Sequence, residues 1–96
     1  MEPSMVESGQ AYEVKDDPLY LCLGEVIRER RKALDLSQSQ FAAGTGIDRA
    51  FLSNLERGQR KPSFGMVARI AGGLKLKLSS LVMQCEKCLD DSRKGA

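Results

Sequence analysis

The segment that decides the fold runs Gln38-Ser-Gln-Phe-Ala-Ala-Gly-Thr-Gly-Ile-Asp-Arg-Ala-Phe-Leu-Ser-Asn-Leu55. Ser37 before it and Asp48 within it are residue types that cap helix N-termini, so the segment predicts two short helices. Gly46 gives the turn between them the backbone freedom that a sharp reversal needs. The second helix then packs against the rest of the protein through Ile47, Leu52 and Leu55.

Three further helices are predicted around this pair. Asp17-Pro18 resembles an N-cap followed by proline at the first helical position, and that helix ends near Leu34. Ser63 caps a fourth helix that reaches Gly72-Gly73. A fifth helix begins at about Leu78 and places one apolar stripe along Leu78, Leu81, Val82 and Cys85. No segment alternates long enough to predict a strand, so the fold class is all-α, a compact five-helix domain. The spacing of the pair is that of a helix-turn-helix, and a helical hairpin that only packs a core is the alternative.

Charge is distributed unevenly over the 96 residues. Residues 1–20 carry −4, whereas residues 21–84 carry +6. A basic body suits a polyanionic partner, although an ordinary solvated surface can have the same offset. We expect one domain, with residues 1–16 as a mobile acidic leader, residues 17–89 as the helix-turn-helix and dimerisation domain, and residues 90–96 as a flexible tail.

Several protein classes are disfavoured by what the chain lacks. There is no histidine, the commonest general base, so no enzyme is predicted. Three cysteines are an odd count and no secretory signal precedes them, so we expect a reduced, cytoplasmic protein with no membrane span. Cys85-x-x-Cys88 has no second ligand pair and no strand before it, which argues against a metal, a cofactor or a redox pair and favours an ordinary apolar helix end. Cys22 is most simply a small hydrophobic residue.

At this point the sequence resembles the Cro and phage-repressor type of helix-turn-helix protein, the XRE family. The resemblance extends from about Leu23 to Val82 and rests on Leu23-Gly-Glu, Ile27-Arg, Leu36-Ser-Gln, Ala42, Gly46-Ile, Leu52-Ser, Leu55-Glu-Arg-Gly, Pro62-Ser63 and Ile70-Ala71. It implies that the third helix enters the DNA major groove while the second crosses the backbone. Asp35 and Lys75 stand where the family usually has glycine, and Lys77 stands where it has a helix cap, which leaves local loop geometry open.

Helical geometry assigns the candidate DNA contacts. With about 100° per residue, Ala50, Asn54 and Arg57 point away from Leu52, and Ser53 flanks that outer face. Arg49 lies at the helix start and is the main candidate for reading guanine. Phe51 either packs or contacts DNA, and Gln38 matches the family's phosphate-binding glutamine. Arg60 and Lys61 extend the charge beyond the third helix.

Two more features follow from the resemblance. Arg31 and Glu56, each on the core side of its helix, match a family ion pair that ties the first helix to the third. Relatives dimerise through the fifth helix, so we expect a homodimer interface that includes Leu81, Val82, Cys85 and Leu89.

The functional prediction is a homodimeric transcription regulator that binds a pseudo-palindromic DNA operator and controls its own gene. Asp48 to Arg57 is similar to the segment in restriction-modification controller proteins. RNA polymerase stays open as a partner, but Ser39 and Ala43 occupy the positions where activating relatives have acids, which favours repression. The rival prediction is an antitoxin-like or adaptor helix bundle that binds protein.

Overall fold

The computed structural model describes residues 12–13 and 16–95, and it confirms the five-helix fold. The helices are α1 (Pro18–Ala33), α2 (Gln38–Thr45), α3 (Arg49–Glu56), α4 (Phe64–Gly73) and α5 (Leu78–Gly95). The structure also contains a two-stranded antiparallel ribbon of β1 (Tyr12–Glu13) and β2 (Arg60–Lys61). In the described ranges, no helix combines the length and apolar character needed to cross a bilayer.

The predicted N-caps form, and they explain where the helices begin. Asp17 accepts a hydrogen bond from the backbone N–H of Leu19 at 2.9 Å, with Pro18 at the first helical position. Ser37 makes a reciprocal capping box with Gln40. Asp48 and Ser63 likewise accept backbone hydrogen bonds in the first turns of α3 and α4. Each cap satisfies a donor that the helix itself leaves unpaired.

The core forms where all five helices meet. Its fully buried side chains are Phe41, Ile27, Leu52, Leu55, Ile70, Leu74 and Leu81. The approach of α1 to α3 requires glycine at position 24, because a Cβ there would lie 2.5 Å from the carbonyl oxygen of Leu55. Gly46 ends α2 in the left-handed conformation, with φ of 74°, and so makes the turn into α3.

The ribbon corrects the expectation that the fold has no strand and that residues 1–16 lie outside the body. Residues 12 and 13 pair antiparallel with the loop after α3, Tyr12 opposite Lys61 and Glu13 opposite Arg60. Two residues per strand are too few for alternation to be visible in a sequence. The rest of the predicted leader, residues 1–11 and 14–15, and the last residue of the tail lie outside the described residues.

The C-terminal boundary also differs from the prediction. Residues 90–95, which were assigned to a flexible tail, continue α5. Asp35 and Lys75, which replace the family's glycines, both adopt the left-handed conformation, with φ of 62° and 60°. This conformation disfavours side chains with a Cβ, and more so for lysine than for aspartate.

A disulfide contradicts the expectation that every cysteine is reduced. Cys22 in α1 and Cys88 in α5 are bonded, with Cα atoms 5.8 Å apart and a sequence separation of 66. The number and spacing of the cysteines could not reveal this pairing, since it depends on how α5 packs against α1. Cys85, the free cysteine, is buried.

Reducing this disulfide should lower the melting temperature. A cross-link across a separation of 66 residues restricts the unfolded chain, which stabilises the fold by roughly 2 to 4 kcal/mol, or on the order of 10 °C or more in Tm. Calorimetry with and without dithiothreitol measures the difference. Cys88→Ser should have, in both buffers, the melting temperature of the dithiothreitol-treated parent. Cys85→Ala keeps the disulfide, so its melting temperature should still differ between the two buffers. If the Tm of the unmodified protein did not change with dithiothreitol, the result would contradict the presence of the disulfide.

Candidate nucleic-acid interface

A buried ion pair fixes α3 on α1. Arg31 donates from Nε to Oε2 of Glu56 at 2.7 Å and from Nη2 to Oε1 at 2.9 Å. Both side chains are almost completely buried. The paired geometry matches the planar fork of guanidinium to the two oxygens of the carboxylate, which fixes orientation as well as distance.

The same pair also holds the start of α2. Arg31 donates from Nη1 to the carbonyl oxygen of Leu36 at 2.7 Å, and Gln38 donates from Nε2 to Oε1 of Glu56 at 3.0 Å. The hydrogen bonds to Glu56 raise the pKa of Arg31 above its ordinary value, against the opposing effect of burial. Arg31 therefore stays charged and keeps α1, α2 and α3 in one network.

The outer face of α3 is polar and accessible. Leu52 and Leu55 are buried on the inner face, while Arg49, Ala50 and Arg57 are exposed. Ser53 and Asn54 are half-buried beside them. The face that was derived from helical spacing is thus the face that the fold leaves open.

Arg57 joins two of these side chains. Its Nη1 donates to Oγ of Ser53 at 3.1 Å, and its Nη2 donates to Oδ1 of Asn54 at 2.6 Å. Sequence spacing placed Asn54 and Arg57 on one face but could not show that they bond. Their separation of three residues is the only signal of it.

The remaining candidates near α3 occupy different environments. Phe51 is half-buried and packs against the core cluster. Gln38 lies at the first position of α2, with its side chain bonded to Glu56. Arg60 and Lys61 lie in β2 and are half-buried. Nε of Arg60 is buried and has no hydrogen-bond partner among the described residues. The ribbon therefore fixes the backbone of both basic residues beside the end of α3.

The four candidate interface residues of α5 differ in their exposure to solvent. Leu81 and Cys85 are buried in the core of the same chain, so neither can contact a partner unless the core opens. Burial also raises the pKa of the Cys85 thiol, which keeps it protonated. Leu89 is half-buried. Val82 alone among the four is exposed, at 42%.

An apolar surface next to Val82 went unnoticed in the sequence. Met83 is 62% exposed and Phe64 71%, the largest values among the big hydrophobic residues described. Phe64 is the first residue of α4 and lies at the open end of that helix. Beside them is a groove of about 300 Å³, lined by Leu19, Tyr20, Leu23, Pro62, Phe64, Val67, Leu81, Val82 and Cys85. We name this region the α4–α5 groove.

The site offers charge and hydrogen-bond donors, not reactive groups. Across residues 12–13 and 16–95, no three histidine, cysteine or acidic side chains group in a way that could hold a metal ion. The chemistry available on the outer face of α3 is recognition of a polar, negatively charged surface.

Comparison with known proteins gives a consistent result. A family model described as helix-turn-helix, HTH_3, matches residues 27–81. Control protein C.MunI from a Mycoplasma species is 40% identical over 58 residues, which are 60% of this chain and 78% of that protein. The ImmF control region 10 kDa protein of Bacillus phage phi105 is 38% identical over 61 residues, which are 64% of this chain and 68% of that protein.

A solved structure adds a match in three dimensions. The crystal structure of the restriction-modification controller protein C.AhdI from Aeromonas hydrophila superposes with a TM-score of 0.62 at 34% identity. The match covers 65% of this chain and 94% of that one.

Breaking the ion pair from one side should destabilise the protein strongly. Glu56→Ala leaves the Arg31 charge buried without its partner, which costs about 3 to 5 kcal/mol. Urea unfolding followed by circular dichroism measures the loss. The double variant Arg31→Met with Glu56→Leu removes both charges and should lose much less. If Glu56→Ala lowered the free energy of unfolding by less than about 1 kcal/mol, the ion pair would contribute no more than a solvent-exposed pair does, which would contradict this prediction.

Proposed function

Because the chain belongs to the helix-turn-helix family HTH_3, we propose that it is a sequence-specific DNA-binding transcription regulator. The observation that carries this proposal is the outer face of α3, which is exposed, polar and held rigidly on α1. An eight-residue helix with one buried and one open side has the dimensions to enter a major groove. With DNA as its partner, we propose that the protein is cytoplasmic.

In this proposal the residues divide into two groups. Arg49 reads guanine from the first turn of α3, while Ala50 and Asn54 face neighbouring bases. Ser53 and Arg57 complete that surface. Gln38, Arg60 and Lys61 lie around it and contact phosphates, which sets the position of the protein on the duplex. Phe51 has its packing role in the core cluster and can still contact a thymine methyl or the sugar edge with its exposed part.

We propose further that the protein is a homodimer on a pseudo-palindromic operator. Val82 and Phe64 line the α4–α5 groove and are exposed, so the groove is uncovered in the monomer. A second copy can cover this apolar surface, and a two-fold dimer places two recognition helices about 34 Å apart, one turn of DNA.

The biological role that we propose is control of a restriction-modification system, with the protein regulating its own gene. Support comes from the relatives named control protein and restriction-modification controller protein, at 40% and 34% identity. Ser39 and Ala43 in α2 are not acidic, so repression is favoured over contact with RNA polymerase. A protein-binding adaptor is the second candidate, and the apolar α4–α5 groove is the observation that favours it.

Loss of the Arg49 guanidinium should weaken specific binding. Arg49→Ala should cost about 1 to 3 kcal/mol on the selected operator and relax the preference at one base pair. Fluorescence anisotropy on operator and random duplexes measures both effects. Arg69→Ala removes the same charge from an exposed site in α4 and should leave the preference intact. Equal losses on both duplexes would reject base reading by Arg49. If the affinity of the parent protein for DNA did not depend on salt concentration, the result would favour the protein-binding adaptor.

A charge in the proposed interface should give a monomer. Val82→Glu puts a carboxylate into apolar surface that the partner would cover, so dimerisation should weaken by at least about tenfold. Sedimentation equilibrium at micromolar concentration measures it. Gln84→Glu adds the same charge at an exposed position beside the disulfide, away from the groove, and should still dimerise. A parent protein that sediments as a monomer with and without DNA would contradict the proposed dimer.

A further inference from the structure

The hydrogen bonds of Arg57 determine which atoms of the outer face of α3 remain available to DNA. Nη2 of Arg57 lies 2.6 Å from Oδ1 of Asn54. A guanidinium carries only donors, so the amide atom that faces it must be the carbonyl oxygen. In the described part of the chain, the amide nitrogen Nδ2 of Asn54 has no acceptor. Asn54 therefore presents donor hydrogens.

Ser53 is affected in the same way. Its Oγ accepts a hydrogen bond from Nη1 of Arg57 at 3.1 Å, which leaves the hydroxyl hydrogen to donate elsewhere. Arg57 has more N–H groups than these two bonds use, so among the described residues it keeps donors for another molecule. Ser53, Asn54 and Arg57 thus form a surface on which donors are open, while Oγ of Ser53 and Oδ1 of Asn54 each already accept one bond from the Arg57 cation. We name it the donor cluster.

We infer that Arg57 fixes Asn54 as a hydrogen-bond donor, so that the donor cluster reads guanine and discriminates against adenine. This rests on the proposed function, because it requires α3 to lie in a major groove. Guanine presents two acceptors there, N7 and O6, whereas adenine presents the acceptor N7 beside the N6 amino donor.

The alternative pairing of Asn54 with adenine needs a different arrangement. An asparagine that binds adenine accepts from N6 through Oδ1 and donates to N7 through Nδ2. Here Oδ1 already accepts a charge-assisted bond from Arg57, and the N6 amino group would have to approach beside a cationic donor. Two donors facing one another repel, while O6 of guanine in the same place would be attracted. Arg57 is then a positioning residue for Asn54 as well as a contact to DNA.

In vitro selection with the full chain and a random duplex pool tests this inference. The unmodified protein should enrich guanine at a position whose preference Asn54→Ala abolishes. At that position the enrichment of guanine should exceed that of adenine by about 5-fold or more, as expected for a good base contact. Arg57→Ala frees Oδ1 of Asn54 and should reduce the guanine-to-adenine ratio at that position by at least about 5-fold. Arg69→Ala, the charge-matched control, should leave the ratio unchanged.

Other outcomes separate the inference from the function on which it rests. If adenine is enriched at the Asn54-dependent position, or if Arg57→Ala keeps the guanine preference, the donor cluster does not act as inferred. A uniform loss of affinity in Asn54→Ala, with no change of preference, would make Asn54 a phosphate contact and also overturn it. If the unmodified protein enriches no sequence, the proposed function itself fails. Circular dichroism of each variant establishes that the protein is folded in every comparison.

Discussion

The contact between α1 and α3 is the constraint on which the site depends. An isolated helix of eight residues is unstable in water, so the direction of α3 is set by what it packs against. Gly24 lets the two backbones approach closely, and the fork of Arg31 then holds Glu56 in one orientation. Because Arg31 and Glu56 also bond the start of α2, both helices of the motif share one anchor. The open face of α3 follows from that anchor.

A charged anchor suits this task better than an apolar one would. Burying two charges has a desolvation cost that their attraction only partly offsets, and an apolar pair of similar volume often stabilises a fold as well. An apolar contact, however, tolerates rotation of a short helix about its axis. Two parallel hydrogen bonds do not, since both depend on the plane of the carboxylate. The geometry therefore favours precise orientation over maximum stability.

Much of this arrangement could be predicted from the sequence, and the rest could not, for identifiable reasons. Asp17, Ser37, Asp48 and Ser63 mark helix starts because capping is a local interaction. The outer face of α3 follows from helical periodicity. The ribbon and the Cys22–Cys88 disulfide join residues far apart in the chain, so no local pattern contains them. The bond between Arg57 and Asn54 depends on side-chain rotamers, which spacing allows but does not specify.

The apolar stripe of α5 shows what a hydrophobic pattern can and cannot predict about an interface. Leu81, Cys85 and Cys88 lie within about 60° of one another around the helix and face the same chain, two in the core and one bonded to α1. Val82 and Met83 lie about 100° and 200° away from Leu81 and are exposed. A hydrophobic pattern reports which residues avoid water, not which molecule covers them. Since α5 is already fixed by its own core and by the disulfide, its outer side is formed before any partner arrives, and a dimer that used it would join two folded monomers.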